Sequence, residues 1–243
     1  MRAIILAGGK GTRLLPYTTI FPKPLMPLGE KPILDIIVRQ LCYFGFTDIT
    51  LAIGYLAELL MAYFGDGKQY GVHITYSREE QPLGTAGPLS LIQPPETPFL
   101  VMNGDVLTTL DYKAMREHHI ASGAMATVGT YFRKVKVNLG TVQVDENGRV
   151  VDYIEKPQYE YLASIGIYIF SPTVMEYIPA NQYLDLPDLI RMLVLDGHEV
   201  RIYKDVDYWL DIGRLDDYEI AQADFERMRH ILLPSESNQS GSR

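Results

Sequence analysis

Cysteine occurs once in the 243 residues, at Cys42. One thiol excludes an intrachain disulfide and a Cys-rich zinc site, so a disulfide-stapled secreted scaffold is out and a reducing compartment fits. Long hydrophobic runs are missing too. The opening run, Ala3 to Ala7, ends at Gly8-Gly9, far short of a signal core or a membrane span, and the expectation is a soluble cytoplasmic protein with no membrane partner. Positive charge is scarce: 22 Lys and Arg against 30 Asp and Glu leave a net charge of −8. That sign is wrong for binding a phosphate backbone, so nucleic acid is not an expected partner. The five histidines, His73, His118, His119, His198 and His230, show no metal-ligand spacing and read as packing or surface residues. No repeat of 20 to 50 residues and no hexapeptide array is present.

With 47% hydrophobic and 21% charged residues, the chain is too apolar to stay disordered. Ala3-Ile4-Ile5-Leu6-Ala7 reads as a strand buried on both faces. From Pro32, apolar residues at Ile33, Ile37, Leu41 and Phe44 predict a helix stopped at Gly45. Strands follow at Ile49 to Ile53, Val72 to Tyr76 and Phe99 to Met102, with a helix over 56–64 and a short one over 85–92. This alternation predicts an α/β fold with a doubly wound, mostly parallel, Rossmann-like sheet. If the first and fourth of these strands lie side by side where the winding reverses, the loop after Ala7 and Asp105 converge on one crevice.

Beyond residue 123 the pattern predicts a mixed or antiparallel portion: strands at Ala126 to Tyr131, Thr141 to Val144, Val150 to Ile154 and Ile165 to Phe170, with a Glu146-Asn147-Gly148 hairpin turn. Helical spacing returns at Leu186, Leu189, Ile190 and Leu193 and over 214–228, between which Val200 to Tyr203 and Tyr208 to Leu210 read as strands. One domain over 1–233 is expected, followed by a polar, serine-rich tail over 234–243 expected to be disordered.

The chemistry concentrates in Leu6-Ala7-Gly8-Gly9-Lys10-Gly11-Thr12-Arg13 and Pro22-Lys23-Pro24. A glycine-rich turn after a buried strand lets backbone N–H groups approach phosphate oxygens, and Arg13 and Lys23 supply charge to hold a triphosphate. Two better-known phosphate loops do not fit. Gly9-Lys10 is followed by Gly11 where a P-loop needs Ser or Thr, and Leu14 stands where a dinucleotide fingerprint needs glycine. A tight turn with two solvated cations is the bland alternative.

These segments, with Pro82-Leu83-Gly84-Thr85-Ala86-Gly87, Asn103-Gly104-Asp105, Glu155-Lys156-Pro157 and Trp209-Leu210-Asp211-Ile212-Gly213, resemble the sugar-1-phosphate nucleotidylyltransferases. The resemblance implies attack of a sugar-1-phosphate oxygen on the α-phosphate of a nucleoside triphosphate, releasing pyrophosphate and leaving an NDP-sugar. The two ligands are anions, so a divalent ion such as Mg²⁺ is the implied cofactor. Arg13, Lys23, Asp105, Lys156 and Asp211 are the implied catalytic set, with Asp105 and Asp211 holding the metal. Leu6, Gly8, Gly9, Gly11, Thr12, Glu79, Glu80, Gly84 and Thr85 are the implied nucleotide contacts beside Arg13 and Lys23. Asn103, Gly140, Glu155, Lys156, Ser164 and Gly166 are the implied sugar-phosphate contacts. Asp105 as a turn residue, Asp211 as a helix N-cap, Glu155-Lys156 as a solvated pair and the glycines as plain turn residues stay open as alternatives.

Counting back from Gly84, Glu79 falls at the family's base-reading position, with Glu80 second. A carboxylate accepts both donors on guanine's Watson-Crick edge, whereas uracil and thymine suit an amide, so GTP is favoured. The segment is most similar to mannose-1-phosphate guanylyltransferases, although related uridylyltransferases also carry a glutamate near here. Ser164 stands where the mannose enzymes usually have Asn, which admits a bulkier sugar such as a heptose. Competing readings are a uridylyl- or thymidylyltransferase of the same family, an inactive regulatory paralogue, and a glycosyltransferase, whose Asp-x-Asp motif Asp105-Val106-Leu107 lacks. A homo-oligomer is compatible with all of them.

Overall fold

The structure is a computed structural model and describes residues 1–234; apart from Pro234, the expected tail lies outside the described residues. The strands are β1 (Arg2–Ala7), β2 (Pro27–Leu28), β3 (Lys31–Pro32), β4 (Asp48–Ile53), β5 (His73–Arg78), β6 (Phe99–Asn103), β7 (Val106–Thr108), β8 (Ala126–Lys136), β9 (Thr141–Val144), β10 (Val150–Ile154), β11 (Gln158–Phe170), β12 (Val200–Tyr203) and β13 (Trp209–Asp211). The α-helices are α1 (Ile33–Tyr43), α2 (Ala57–Phe64), α3 (Tyr112–Ser122), α4 (Leu186–Leu195) and α5 (Leu215–Leu232). The helix expected over 85–92 is a five-residue 3-10 turn, Gly87–Leu91, because Gly87 and Pro88, with Gly84 just before, leave too little continuous backbone for an α-helix.

Seven strands form the main sheet in the order β12-β8-β11-β6-β1-β4-β5. β1 runs parallel to both β4 and β6, and only β11 is antiparallel to its neighbours β6 and β8. The winding reverses between β1 and β6, as the alternation of strand and helix predicts.

Two apolar clusters sandwich the sheet, and the period of two along each strand assigns its side chains to one or the other. Ala3, Ile5 and Ala7 of β1, with Leu100 and Met102 of β6, pack with α1. Ile4, Phe99 and Val101 pack on the opposite side with Leu186, Leu189 and Leu193 of α4. The continuous apolar runs of β1 and β6 thus reflect burial on both faces.

β8 and β11 extend past the core as a two-stranded arm, from Ser164↔Thr130 out to Gln158↔Lys136. Only the inner parts of both strands, Ala126 to Tyr131 and Ile165 to Phe170, are expected from hydropathy. The outer residues are exposed and carry Arg133, Lys134 and Lys136, so burial imposes no pattern there. β9 and β10 form the expected hairpin, with Gly148 at φ 78 and Asp145 Oδ1 accepting from the N–H groups of Asn147 and Arg149 at 2.9 Å each.

His119 is fully enclosed between α3 and the sheet, 1% exposed. Ser171 Oγ donates to Ala124 O at 2.9 Å, so it accepts the His119 Nε2–H at 3.1 Å, and Thr127 Oγ1 then donates to Nδ1 at 2.9 Å. Burial, then the charges of Arg116 and His118, pull its pKa from 6.5 down to about 4. The unfolded chain therefore takes up a proton between those values that the folded chain refuses, so this contribution is complete above pH 6.5 and is lost as pH falls toward 4. Urea unfolding at pH 7 and pH 5 is expected to show His119→Gln losing about 2 kcal/mol less stability over that interval than the parent chain. Equal losses would rule out a neutral buried imidazole.

Candidate active site

The carboxyl ends of β1, β4, β5 and β6 open into a crevice of about 1220 Å³. Its floor is the Gly8 to Arg13 loop. Gly11 sits at φ 61, and a Cβ there would lie 2.9 Å from Thr18 Cγ2, so both conformation and packing call for glycine. Thr18 Oγ1 donates to Gly11 O at 2.9 Å and holds the bend.

Asp105 reaches the same crevice through the turn between β6 and β7, where Gly104 N donates to Leu6 O at 2.9 Å. The convergence of the glycine loop and Asp105, roughly 95 residues apart in sequence, is thus present. Lys23, nearly buried, ion-pairs with Asp105 Oδ2, while Oδ1 is buried without a hydrogen-bond partner. β13 pairs with β7 so that Asp211 lies opposite Val106, and Ile212 N donates to Asp105 O at 3.1 Å. The site of a Cβ on Gly213 would be 3.3 Å from Arg13 Nη1 and 3.5 Å from Asp211 Oδ2, which brings Arg13 to the same corner. Burial first, and then the Asp105 carboxylate, raise the pKa of Asp211, with Lys23 and Arg13 pulling it down. The two acids therefore share one electrostatic site. Asp211 is not the N-cap of α5. That position is Arg214, closed by Asp217.

At the other end of the floor, Glu79 lies against the glycines that follow β1 and β4. A Cβ on Gly8 would be 2.6 Å, and one on Gly54 3.0 Å, from Glu79 Oε1. Glu79 Oε2 accepts from Leu83 N at 3.0 Å, so the carboxylate is half fixed and half free. Glu80 also lines the crevice but is exposed. Leu6, Gly9, Thr12, Gly84, Thr85 and Asn103 complete the expected residues found in its lining.

Asp211, Ser164 and Gly166 are not among the lining residues, and Gly140, Glu155 and Lys156 stand further apart, where the arm joins the β9–β10 hairpin. Tyr153 Oη occupies the space a Cβ on Gly140 would need, and Glu155 Oε2 lies 3.0 Å from that point. Tyr153 Oη donates to Glu155 Oε2 at 3.4 Å, and Lys156 Nζ is 3.9 Å from Glu155 Oε1. Lys156 has φ 48, rare for a side-chain-bearing residue. Ser164 Oγ hydrogen-bonds Tyr168 Oη at 3.1 Å, and Gly166 faces Asn103.

Hydropathy and motif reading miss Gly54, Tyr55, Tyr183 and Asp185, all in the crevice wall. Gly54-Tyr55 directly follow the apolar β4, so the rule that ligands sit beyond strand carboxyl ends could have found them. Asp185 precedes α4 like an N-cap, yet its Oδ1 accepts from Thr85 N at 3.0 Å and Thr85 Oγ1 at 3.1 Å. No local signal announces a pairing across 100 residues. Among the described residues no group of three or more His, Cys, Asp or Glu could hold a metal, and no helix is long and apolar enough to cross a membrane.

The profile of the nucleotidyl transferase family matches residues 2–227. The chain belongs to that family. It is 38% identical over 238 residues to a UTP–glucose-1-phosphate uridylyltransferase of Synechocystis, covering 90% of this chain and 61% of that protein. It is 34% identical over 228 residues to a mannose-1-phosphate guanyltransferase of Neurospora crassa, covering 90% and 62%. The chain thus spans about three fifths of the length of these relatives. Its fold matches HddC from Yersinia pseudotuberculosis with a TM-score of 0.70 at 25% identity, over 92% of this chain and 99% of that one. The complex of HddC with GMP-PN gives a TM-score of 0.68 at the same identity and coverage.

Proposed function

We propose that this chain condenses a nucleoside triphosphate with a sugar-1-phosphate to give an NDP-sugar and pyrophosphate. The observation that carries this reading is the meeting of Lys23, Asp105 and Arg13 in a crevice floored by Gly8 to Arg13, with Asp211 beside them on β13 just outside the lining. Membership of the family and relatives that include a uridylyltransferase and a guanyltransferase of hexose-1-phosphates support the reaction class. The acidic balance of the chain favours these small anionic ligands, each met by local cations, over nucleic acid.

In this reading the N–H groups of the Gly8 to Gly11 loop and the Arg13 guanidinium receive the triphosphate. Lys23 exchanges Asp105 for phosphate oxygens when the ligand arrives, and so opposes the charge that accumulates as the α-phosphorus is attacked. Lys156 holds the sugar phosphate for in-line attack, and Glu155 accepts from sugar hydroxyls. Glu79 reads the base.

The donor set fits magnesium. The buried, unpartnered Asp105 Oδ1 and the Asp211 carboxylate coupled to it would supply two hard oxygen ligands of the kind magnesium prefers. Bound there, magnesium would supply positive charge that offsets the mutual repulsion of the two anionic substrates.

GTP is the favoured nucleotide, because the free Oε1 and the second lone pair of Oε2 on Glu79 can accept from guanine N1–H and N2–H together. The similarity to HddC solved with GMP-PN is consistent with this. The sugar is mannose-like or, given the short Ser164 side chain, heptose-like. A panel of nucleoside triphosphates against sugar-1-phosphates, read by product mass and pyrophosphate release, tests the whole reading. A GDP-sugar is expected as the main product. A UDP- or dTDP-sugar would correct the base, and nucleotide binding without any pyrophosphate would point to a regulatory paralogue.

A further inference from the structure

β11 loses register between Ser164↔Thr130 and Tyr168↔Val128, leaving an irregular stretch at Ile165 to Ile167 whose centre, Gly166, has φ 72. Such a bulge frees backbone groups from the ladder and re-aims the residues around it. Two side chains pin it from separate elements. The Asn103 amide fills the space over Gly166, where a Cβ would lie 2.6 Å from Nδ2. The Trp209 indole Nε1–H donates to Ile165 O at 3.1 Å.

Both pins have the same relation to the acid pair: Asn103 precedes Asp105 by two residues, and Trp209 precedes Asp211 by two. On β13 that spacing puts Trp209 and Asp211 on one face of the strand, so three residues carry both the acid and the hydrogen bond to the bulge. An indole N–H only donates, and Trp209 is half-buried, so the Ile165 carbonyl gives its N–H a defined partner. The ring itself packs against Tyr131, centroids 6.1 Å apart. Trp is also the sole residue of its type in the chain, so no other indole can take over the contact.

We propose that Trp209 is a positioning residue that ties the β11 bulge to Asp211 and so sets the sugar-phosphate seat relative to the acid pair. This rests on the reaction proposed above, with Ser164 and Gly166 as sugar contacts that the family resemblance implies. Its function is to fix a distance, and removing the N–H loosens the sugar ligand while the nucleotide end, built on β1, β4 and β5, is untouched.

Trp209→Phe keeps an aromatic ring against Tyr131 while deleting the N–H donor together with one of the two fused rings, and Tyr131→Leu controls for the lost packing. Hydrogen exchange of the free protein is expected to speed up about tenfold in peptides covering residues 163–168 and to stay unchanged in β1 and β4. The KM for the sugar-1-phosphate is expected to rise about fivefold to tenfold while the KM for the nucleotide changes less than twofold. Tyr131→Leu, which removes ring packing but leaves the N–H, is expected to show no such split. Unchanged exchange in 163–168, or faster exchange with both KM values moving together, would overturn the proposal. If the parent chain makes no NDP-sugar, the reaction reading fails by itself, and calorimetric titration of both proteins with glucose-1-phosphate and mannose-1-phosphate decides the role of Trp209. Weaker binding by Trp209→Phe would support it, and equal or undetectable binding would overturn it.

Discussion

Asp105→Asn and Asp211→Asn are each expected to cut turnover by about 10³-fold, because each removes one of the two carboxylates of the proposed metal site, and among the described residues no cluster of three acids stands in for them. Their effects on stability should have opposite signs, and this separates a shared electrostatic site from two unrelated turn residues. Asp105 neutralises Lys23, which is nearly buried. Its amide variant leaves that ammonium without its counter-charge and should unfold at lower denaturant concentration. Asp211 is an acid whose ionised form is disfavoured, first by burial and then by Asp105. Its amide variant relieves both and should melt at a higher temperature than the parent, the usual direction when a strained functional group is neutralised. Thermal and urea unfolding alongside pyrophosphate release check both halves. A stable, active variant at either position would remove that residue from the site.

The second large effect concerns the base. Glu79→Gln replaces one acceptor oxygen by an amide donor at the position facing Gly8 and Gly54. Guanine would then meet a donor where it needs an acceptor, and kcat/KM for GTP should fall about 100-fold, close to 3 kcal/mol. UTP and dTTP present a donor between two acceptors, and their kcat/KM should fall far less or rise. A uniform loss across all nucleotides would mean that Glu79 supports the Leu83 turn, whose N–H it accepts at 3.0 Å, and does not read the base.

The parts of this architecture visible in the sequence are those that burial enforces. Ala3 to Ala7 and Phe99 to Met102 are apolar at every position because the sheet is covered on both faces, and their glycine-rich ends mark where the chain turns into the crevice. Topology then brings Asp105 to the glycine loop. The outer halves of β8 and β11 were not legible, since solvent on both faces leaves no alternation for hydropathy to register. The wall contributed by Tyr183 and Asp185 was hidden for another reason: its contacts to Thr85 depend on tertiary packing between segments about 100 residues apart. The separation of Glu155 and Lys156 from the crevice lining belongs to the same class, because the reach of an arm is set by its paired length and twist, which no single residue encodes.

In the proposed reaction Asp105 and Asp211 jointly hold one divalent ion against the phosphates of the nucleotide. Titration of Mn²⁺ into the protein with GTP present, followed by electron paramagnetic resonance, measures that directly. Bound manganese that is lost in both Asp105→Asn and Asp211→Asn is the predicted result; undiminished binding in either variant would contradict it.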